Sequence, residues 1–161
     1  MYSRRACPAR TISPINLEPT LGEALRACLL FTVGPHTCAI PLEHVVETFR
    51  PPRIEPVATP ARCVLGVARI RGEAVPVIDV GALAFGSAPT LAPARLVTLR
   101  VGGRVVALAV SDVTRVAPLA DVDSLPPLLR TSDAIEGIAS LDDRLLLVLR
   151  AARLVDEAGP M

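Results

Sequence analysis

A chain of 161 residues with 51% hydrophobic and 20% charged side chains is long enough for one domain, or for two small lobes sharing a core, and too apolar to be disordered. Its net charge of +1 and aromatic content of 2% supply neither a broad basic field nor the stacking platforms that nucleic-acid binding requires. The four cysteines, Cys7, Cys28, Cys38 and Cys63, show no metal-ligand or redox spacing and read as small buried hydrophobes of a reducing cytosol.

Residues up to Thr20 mix Arg, Pro and Ser without period, and Pro8, Pro14 and Pro19 interrupt any helix, so a flexible tail is expected over 1–24. This tail has no continuous apolar stretch of the secretory kind, and no run in the chain approaches the roughly 18 apolar residues of a membrane span. A short helix over Leu21 to Ala27 is compatible with the residues. Short apolar runs then follow, with turn residues between them: Cys28 to Val33, a turn at Gly34-Pro35-His36, Thr37 to Pro41, and His44 to Phe49, stopped by Pro51-Pro52.

Arg53 to Pro60 is a proline-rich loop, and Ala61 to Val64 forms a single turn. The most informative stretch is Gly66 to Val80, GVARIRGEAVPVIDV, which reads as a hairpin turning at Gly72-Glu73. Ala68, Ile70, Ala74, Pro76 and Ile78 are expected to face a core, with Arg69 and Arg71 on the opposite side and Arg71 at the tip. A loop from Phe85 to Pro93 separates two halves. The second half runs Arg95 to Val101, a Gly102-Gly103 turn, Arg104 to Val110, Val113 to Pro118, a loop from Leu119 to Asp133, and a hairpin of Ile135–Leu141 and Arg144–Leu149. Ala151 to Glu157 closes the chain as a short amphipathic helix.

The halves are related. Placing Gly34 on Gly102 without a gap brings Phe31 onto Leu99, Ala39 onto Ala107 and Val45 onto Val113. Placing Gly66 on Gly137 brings Ala68 onto Ala139, Ile70 onto Leu141 and Ile78 onto Leu149. A duplicated unit of about five short strands follows, which gains stability by packing on its twin. Three charges invert sign between the halves: Arg71 falls on Asp142, Asp79 on Arg150, and Glu47 on Arg115. Lobes of opposite sign are expected to attract the opposite lobe of a related molecule, a head-to-tail contact.

Catalytic constellations are not found. His36 and His44 lie outside any ligand motif, and GxSxG, P-loop and GxGxxG patterns are missing. The loop acids Asp121 and Asp123 lack the remaining features of a calcium loop. A non-catalytic binding module without metal or cofactor is therefore expected. A small-ligand site between the lobes stays open, as does an unfamiliar enzyme using Cys38 or Cys63 as nucleophile.

From Cys28 to Val155 the chain resembles the CheW-like domain, the coupling protein of bacterial chemosensory arrays. The likeness rests on Leu30-Phe31-Thr32-Val33-Gly34, Ala39-Ile40-Pro41-Leu42, Val45-Val46-Glu47, Pro56 to Pro60, Val110 to Val113 and Gly137 to Leu149. Its most specific element is RGxxVPVID within Gly66 to Val80. The resemblance implies a mainly β fold of two packed SH3-like five-stranded barrels in one domain over 25–158, with lobes at about 28–84 and 94–150 and a closing helix. It implies an adaptor, not an enzyme, bridging chemoreceptor tips and the regulatory domain of a histidine kinase, cytoplasmic and held at membrane-associated arrays. A scaffold of a twitching-motility or other non-flagellar system is the neighbouring alternative.

Carried over by position, Arg71 resembles the receptor-contacting arginine, with Val45, Glu47 and Gly66 in the neighbouring strands and Val113 and Val116 across a groove. The family's acid in VDxV is Ser111 here, Arg150 replaces the closing acid, Arg69 stands where a small polar residue is commoner, and Cys38 replaces an aromatic. Arg69, Asp79, Asp142 and Arg150 are thus expected as charge contacts with a partner lobe.

Overall fold

The structure, a computed structural model, describes residues 25–59, 61–87, 93–129 and 132–158. The expected tail, over 1–24, lies outside the described residues. So does most of the helix expected over Leu21 to Ala27, whose last two residues instead begin a strand. In chain order the elements are β1 (Arg26–Val33), β2 (His36–Pro41), a 3-10 turn (Leu42–His44), β3 (Val45–Phe49), β4 (Ile54–Glu55), β5 (Val64–Ile70), β6 (Glu73–Asp79) and α1 (Val80–Phe85). Then come β7 (Arg95–Val101), β8 (Arg104–Val110), β9 (Asp112–Leu119), a 3-10 turn (Pro127–Leu129), β10 (Ile135–Leu141), β11 (Arg144–Leu149) and α2 (Ala151–Glu157).

The fold is mainly β, as expected, and the closing helix has the expected bounds. The helix α1 lacks a sequence signal of its own, being six residues long; it is started by Asp79, whose Oδ1 accepts from the Ala82 amide at 3.1 Å.

Two sheets form, ordered β10-β11-β2-β1-β9 and β3-β7-β8-β6-β5-β4. Each draws on both halves of the sequence, so the expected division at 28–84 and 94–150 is not how the strands distribute. The first hairpin of one repeat joins the second hairpin of the other through a parallel pairing: β2 with β11 (Cys38 opposite Leu147) and β8 with β6 (Ala107 opposite Val77). The third strand of a repeat crosses as well, β3 pairing with β7 and β9 with β1. Under the repeat alignment the two orders are the same, with β4 added at one edge.

Burial explains the exchange. The inner strands carry unbroken buried runs, Cys28–Phe31 in β1, Cys38–Pro41 in β2, Val75–Asp79 in β6 and Val106–Val110 in β8, which suit strands covered on both faces and flanked on both sides. One face of each sheet meets a shared core containing Phe31, Ile40, Ile78, Val97, Leu99 and Leu108. The other face curls around a satellite core of its own: Cys28, Leu30, Ala39, Ala117, Leu146 and Val148 in the five-stranded sheet, and Ala68, Val75, Val77, Leu96 and Ala107 in the six-stranded one. This doubly covered arrangement replaces the strict alternation expected for the β5–β6 hairpin, where Val75 and Val77 are buried and Ala74 is exposed.

Candidate functional site

In the β5–β6 hairpin Ile70 pairs with Glu73, so the two-residue loop is Arg71-Gly72 and not Gly72-Glu73. Arg71 has φ 52° and Gly72 φ 83°, the pair of positive values that a type I′ loop needs to match strand twist. Arg71 therefore sits within the turn, with its side chain 78% exposed. It is nonetheless held. Its Nε donates to Oε2 of Glu47 at 2.8 Å and its Nη2 to Oε1 at 2.9 Å, a fork-to-fork pair reaching from the tip to β3. The Arg71 hydrogen bonds hold the Glu47 carboxyl below the usual glutamate range, and the same bonds raise Arg71 further.

Glu47 is placed by its backbone. β3 carries a bulge between Val45 and Glu47, and the buried Thr98 hydroxyl of β7 donates to the Glu47 carbonyl at 3.2 Å. Gly66, on β5, acts from below. A Cβ there would run into the carbonyl oxygen of Glu55 on β4, so its missing side chain lets β4 lie against β5.

The five-stranded sheet repeats the construction with the signs exchanged. The β10–β11 tip is Asp142-Asp143, at φ 53° and 62°, and Nη2 of Arg115 on β9 donates to Oδ2 of Asp142 at 2.8 Å. The β9 strand has its own irregularity in register, between the partners of Leu30 and Phe31. A Cβ at Gly137 would meet the Asp123 carbonyl oxygen, as Gly66 would meet that of Glu55. Two of the three inverted positions are thus partners within each sheet, Arg71 with Glu47 and Asp142 with Arg115.

Of the expected receptor-contact residues, the structure brings together Arg71 and Glu47, with Val45 at the start of the same β3 strand. Val113 and Val116 lie on β9 in the other sheet, opposite Phe31 and Leu29. Val45 and Val113 both pack from edge strands onto the shared core, while Val116 is exposed. Of the expected charge contacts, Arg69 is exposed and donates from Nη1 to the Gly72 carbonyl at 3.1 Å, Asp142 is exposed on its tip, and Arg150 is exposed before α2. Asp79 is a correction: at 3% exposure it is buried and caps α1, so it offers no surface charge.

An open depression beside the tip is lined by Glu47, Phe49, Arg50, Arg69, Ile70 and Arg71, and has a volume of about 270 Å³. Arg50 is a residue that sequence reasoning missed. It follows β3 and precedes Pro51-Pro52, and no spacing rule links it to a hairpin that only the tertiary fold brings alongside.

Cys28, Cys38 and Cys63 are poor nucleophiles. Burial pushes the Cys38 thiol up to about 12 and raises Cys63 and Cys28 as well. Among the described residues no cluster of His, Cys, Asp and Glu could hold a metal ion, and no helix is long and apolar enough to cross a membrane.

Comparison with known proteins agrees with this architecture. The crystal structure of the scaffolding protein TtCheW from Thermoanaerobacter tengcongensis is similar, with a TM-score of 0.69 at 22% identity over 79% of this chain and 90% of that one. No match is found among curated proteins. The CheW-like domain model matches residues 27–159, which take in both sheets, both charged tips and the closing helix; the chain belongs to the CheW-like domain family.

Proposed function

We propose that this chain is a non-catalytic adaptor of a bacterial chemosensory array, coupling the cytoplasmic tips of chemoreceptors to the regulatory domain of a CheA-type histidine kinase. Family membership and the likeness to a scaffolding protein support the adaptor role. The observation that carries the contact surface is Arg71, exposed at a tight turn yet fixed in direction by Glu47. An arginine oriented in advance loses less freedom on binding and can still donate its remaining N–H groups to a receptor carboxylate or carbonyl. Val45, Val113 and Val116 supply apolar contact around it, and Gly66 acts indirectly by seating β5 against β4. The opposite charges of the two tips suit self-association between opposite lobes, with Arg69, Asp142 and Arg150 as contacts.

The protein then works in the cytoplasm at receptor arrays, without cofactor. A non-flagellar signalling system would use the same surfaces. A small-ligand role has less support: in the cavity of about 280 Å³ between the β1–β2 turn, α1 and β8, the side chains of Asp79 and Ser111 are already bonded to the protein's own backbone. Asp79 there caps α1, and Ser111 Oγ accepts from the Gly34 amide at 2.9 Å.

The direct test is capture of receptor tips and of the kinase regulatory domain by the parent, Arg71→Ala and Arg71→Glu. Receptor affinity is expected to fall about tenfold or more in Arg71→Glu with kinase binding retained. Unchanged receptor affinity removes Arg71 from the contact, and absence of binding to either partner overturns the adaptor role.

A further inference from the structure

The charges around the depression beside the hairpin tip are unequal in an instructive way. Three arginines line it, and its one acid, Glu47, is taken by Arg71. Arg69 bonds only the neutral carbonyl of Gly72, and among the described residues neither Arg50 nor Arg69 forms an ion pair. Arg50 and Arg69 are the charges left over. Between them the floor is apolar, made by Phe49 and Ile70, which pack onto the satellite core of the six-stranded sheet. A second depression of about 240 Å³ shares Pro52 and Arg69 with the first, so the trough continues over β4 and β5.

The form of the occupant follows from the edges. β3 is bulged at Val45 and Glu47, and β4 has two residues. Neither edge offers a ladder long and regular enough for an added strand. Recognition must then run through side chains, as it does when a helix lies in a trough.

We infer that this trough docks an acidic helical segment of a partner protein, with an apolar side chain over Phe49 and Ile70 and carboxylates on Arg50 and Arg69. This rests on the adaptor reading for the partner's place in the cell, and adds the chemistry that selects it. Arg71 and Glu47, balanced against each other, hold the rim in shape; Arg50 and Arg69 discriminate by charge. Guanidinium groups suit the task because each can fork onto a carboxylate.

The test uses the full chain and labelled helical peptides presenting Glu-Leu-Glu, Gln-Leu-Gln or Lys-Leu-Lys on successive turns of one face. The Glu peptide is expected to bind most tightly, with a preference that fades as salt rises. Arg50→Ala and Arg69→Ala are each expected to weaken it about three- to tenfold, and Arg69→Glu to shift preference towards the Lys peptide. Equal binding of Glu and Gln peptides, or unchanged binding by both alanine variants, overturns the inference. The same variants are assayed with receptor tips and kinase domain. If the alanine variants bind the Glu peptide, receptor tips and kinase domain as the parent does, the acidic-helix trough falls and the adaptor role stands. If the parent binds neither partner yet still selects the Glu peptide, the adaptor role falls and the trough stands.

Discussion

The β5–β6 tip and the β10–β11 tip occupy equivalent places in the two repeats, and each is tied to a bulged or irregular edge strand by one ion pair. In the six-stranded sheet the arginine is on the tip and the acid on the strand; in the five-stranded sheet the acid is on the tip and the arginine on the strand. What the two sites share is geometry: a two-residue left-handed turn, a glycine over a neighbouring carbonyl, and a tip-to-edge pair. What they do not share is sign. Both tips are tied down and the fold accommodates either order of charge, which leaves that order available to distinguish partners.

The comparison breaks most readily at the glycines. Gly66→Ala and Gly137→Ala each push a methyl group against a backbone carbonyl, of Glu55 and of Asp123. Each is expected to cost about 2–3 kcal/mol in urea unfolding. A large loss at one position and none at the other would show that the two tips are not built alike. Next in size is the exchange of signs. Glu47→Arg with Arg71→Asp turns the first tip into a copy of the second; the urea midpoint is expected to hold while receptor-tip capture falls about tenfold. Loss of folding instead would mean that the sign is structural.

The turns differ at their second residue, Gly72 against Asp143, both at positive φ. Asp143→Gly makes the second turn like the first and is expected to stabilise the protein by about 0.5–1 kcal/mol, read by thermal or urea unfolding. The smallest effect is in acid. Because the folded state lowers the Glu47 pKa, its pair with Arg71 favours folding above the ordinary glutamate range and is lost as pH falls through the depressed value. The Glu47 carboxyl carbon should titrate below that range by NMR and return towards it in Arg71→Ala.

Much of the fold is legible in the residues. Arg95–Val101, Arg104–Val110, Ile135–Leu141, Arg144–Leu149 and Ala151–Glu157 have the bounds expected from their turn residues and apolar runs. The repeat is visible because glycines that no side chain can replace, Gly66 and Gly137, recur in step with small core residues such as Ala68 and Ala139. Arg71 could be placed at a tip, but its hold by Glu47 could not, since β3 and the hairpin lie towards opposite ends of the strand order and the two residues meet only when the six-stranded sheet curls round. Asp79 departs from expectation because its charge at a strand end suggests a surface, and only the helix that follows makes it a buried cap.

The sequence by itself determined most of the strands, the approximate places of their turns, and that one unit occurs twice, because these depend on local φ preferences and on runs of apolar side chains. Tertiary structure decided which strands share a sheet. A buried run of valine and leucine states that a strand must be covered, not by what, so the parallel junctions of β2 with β11 and β6 with β8 lie beyond local pattern. Those junctions exchange hairpins between the halves, bind the two lobes into one core, and set each charged tip beside its partner.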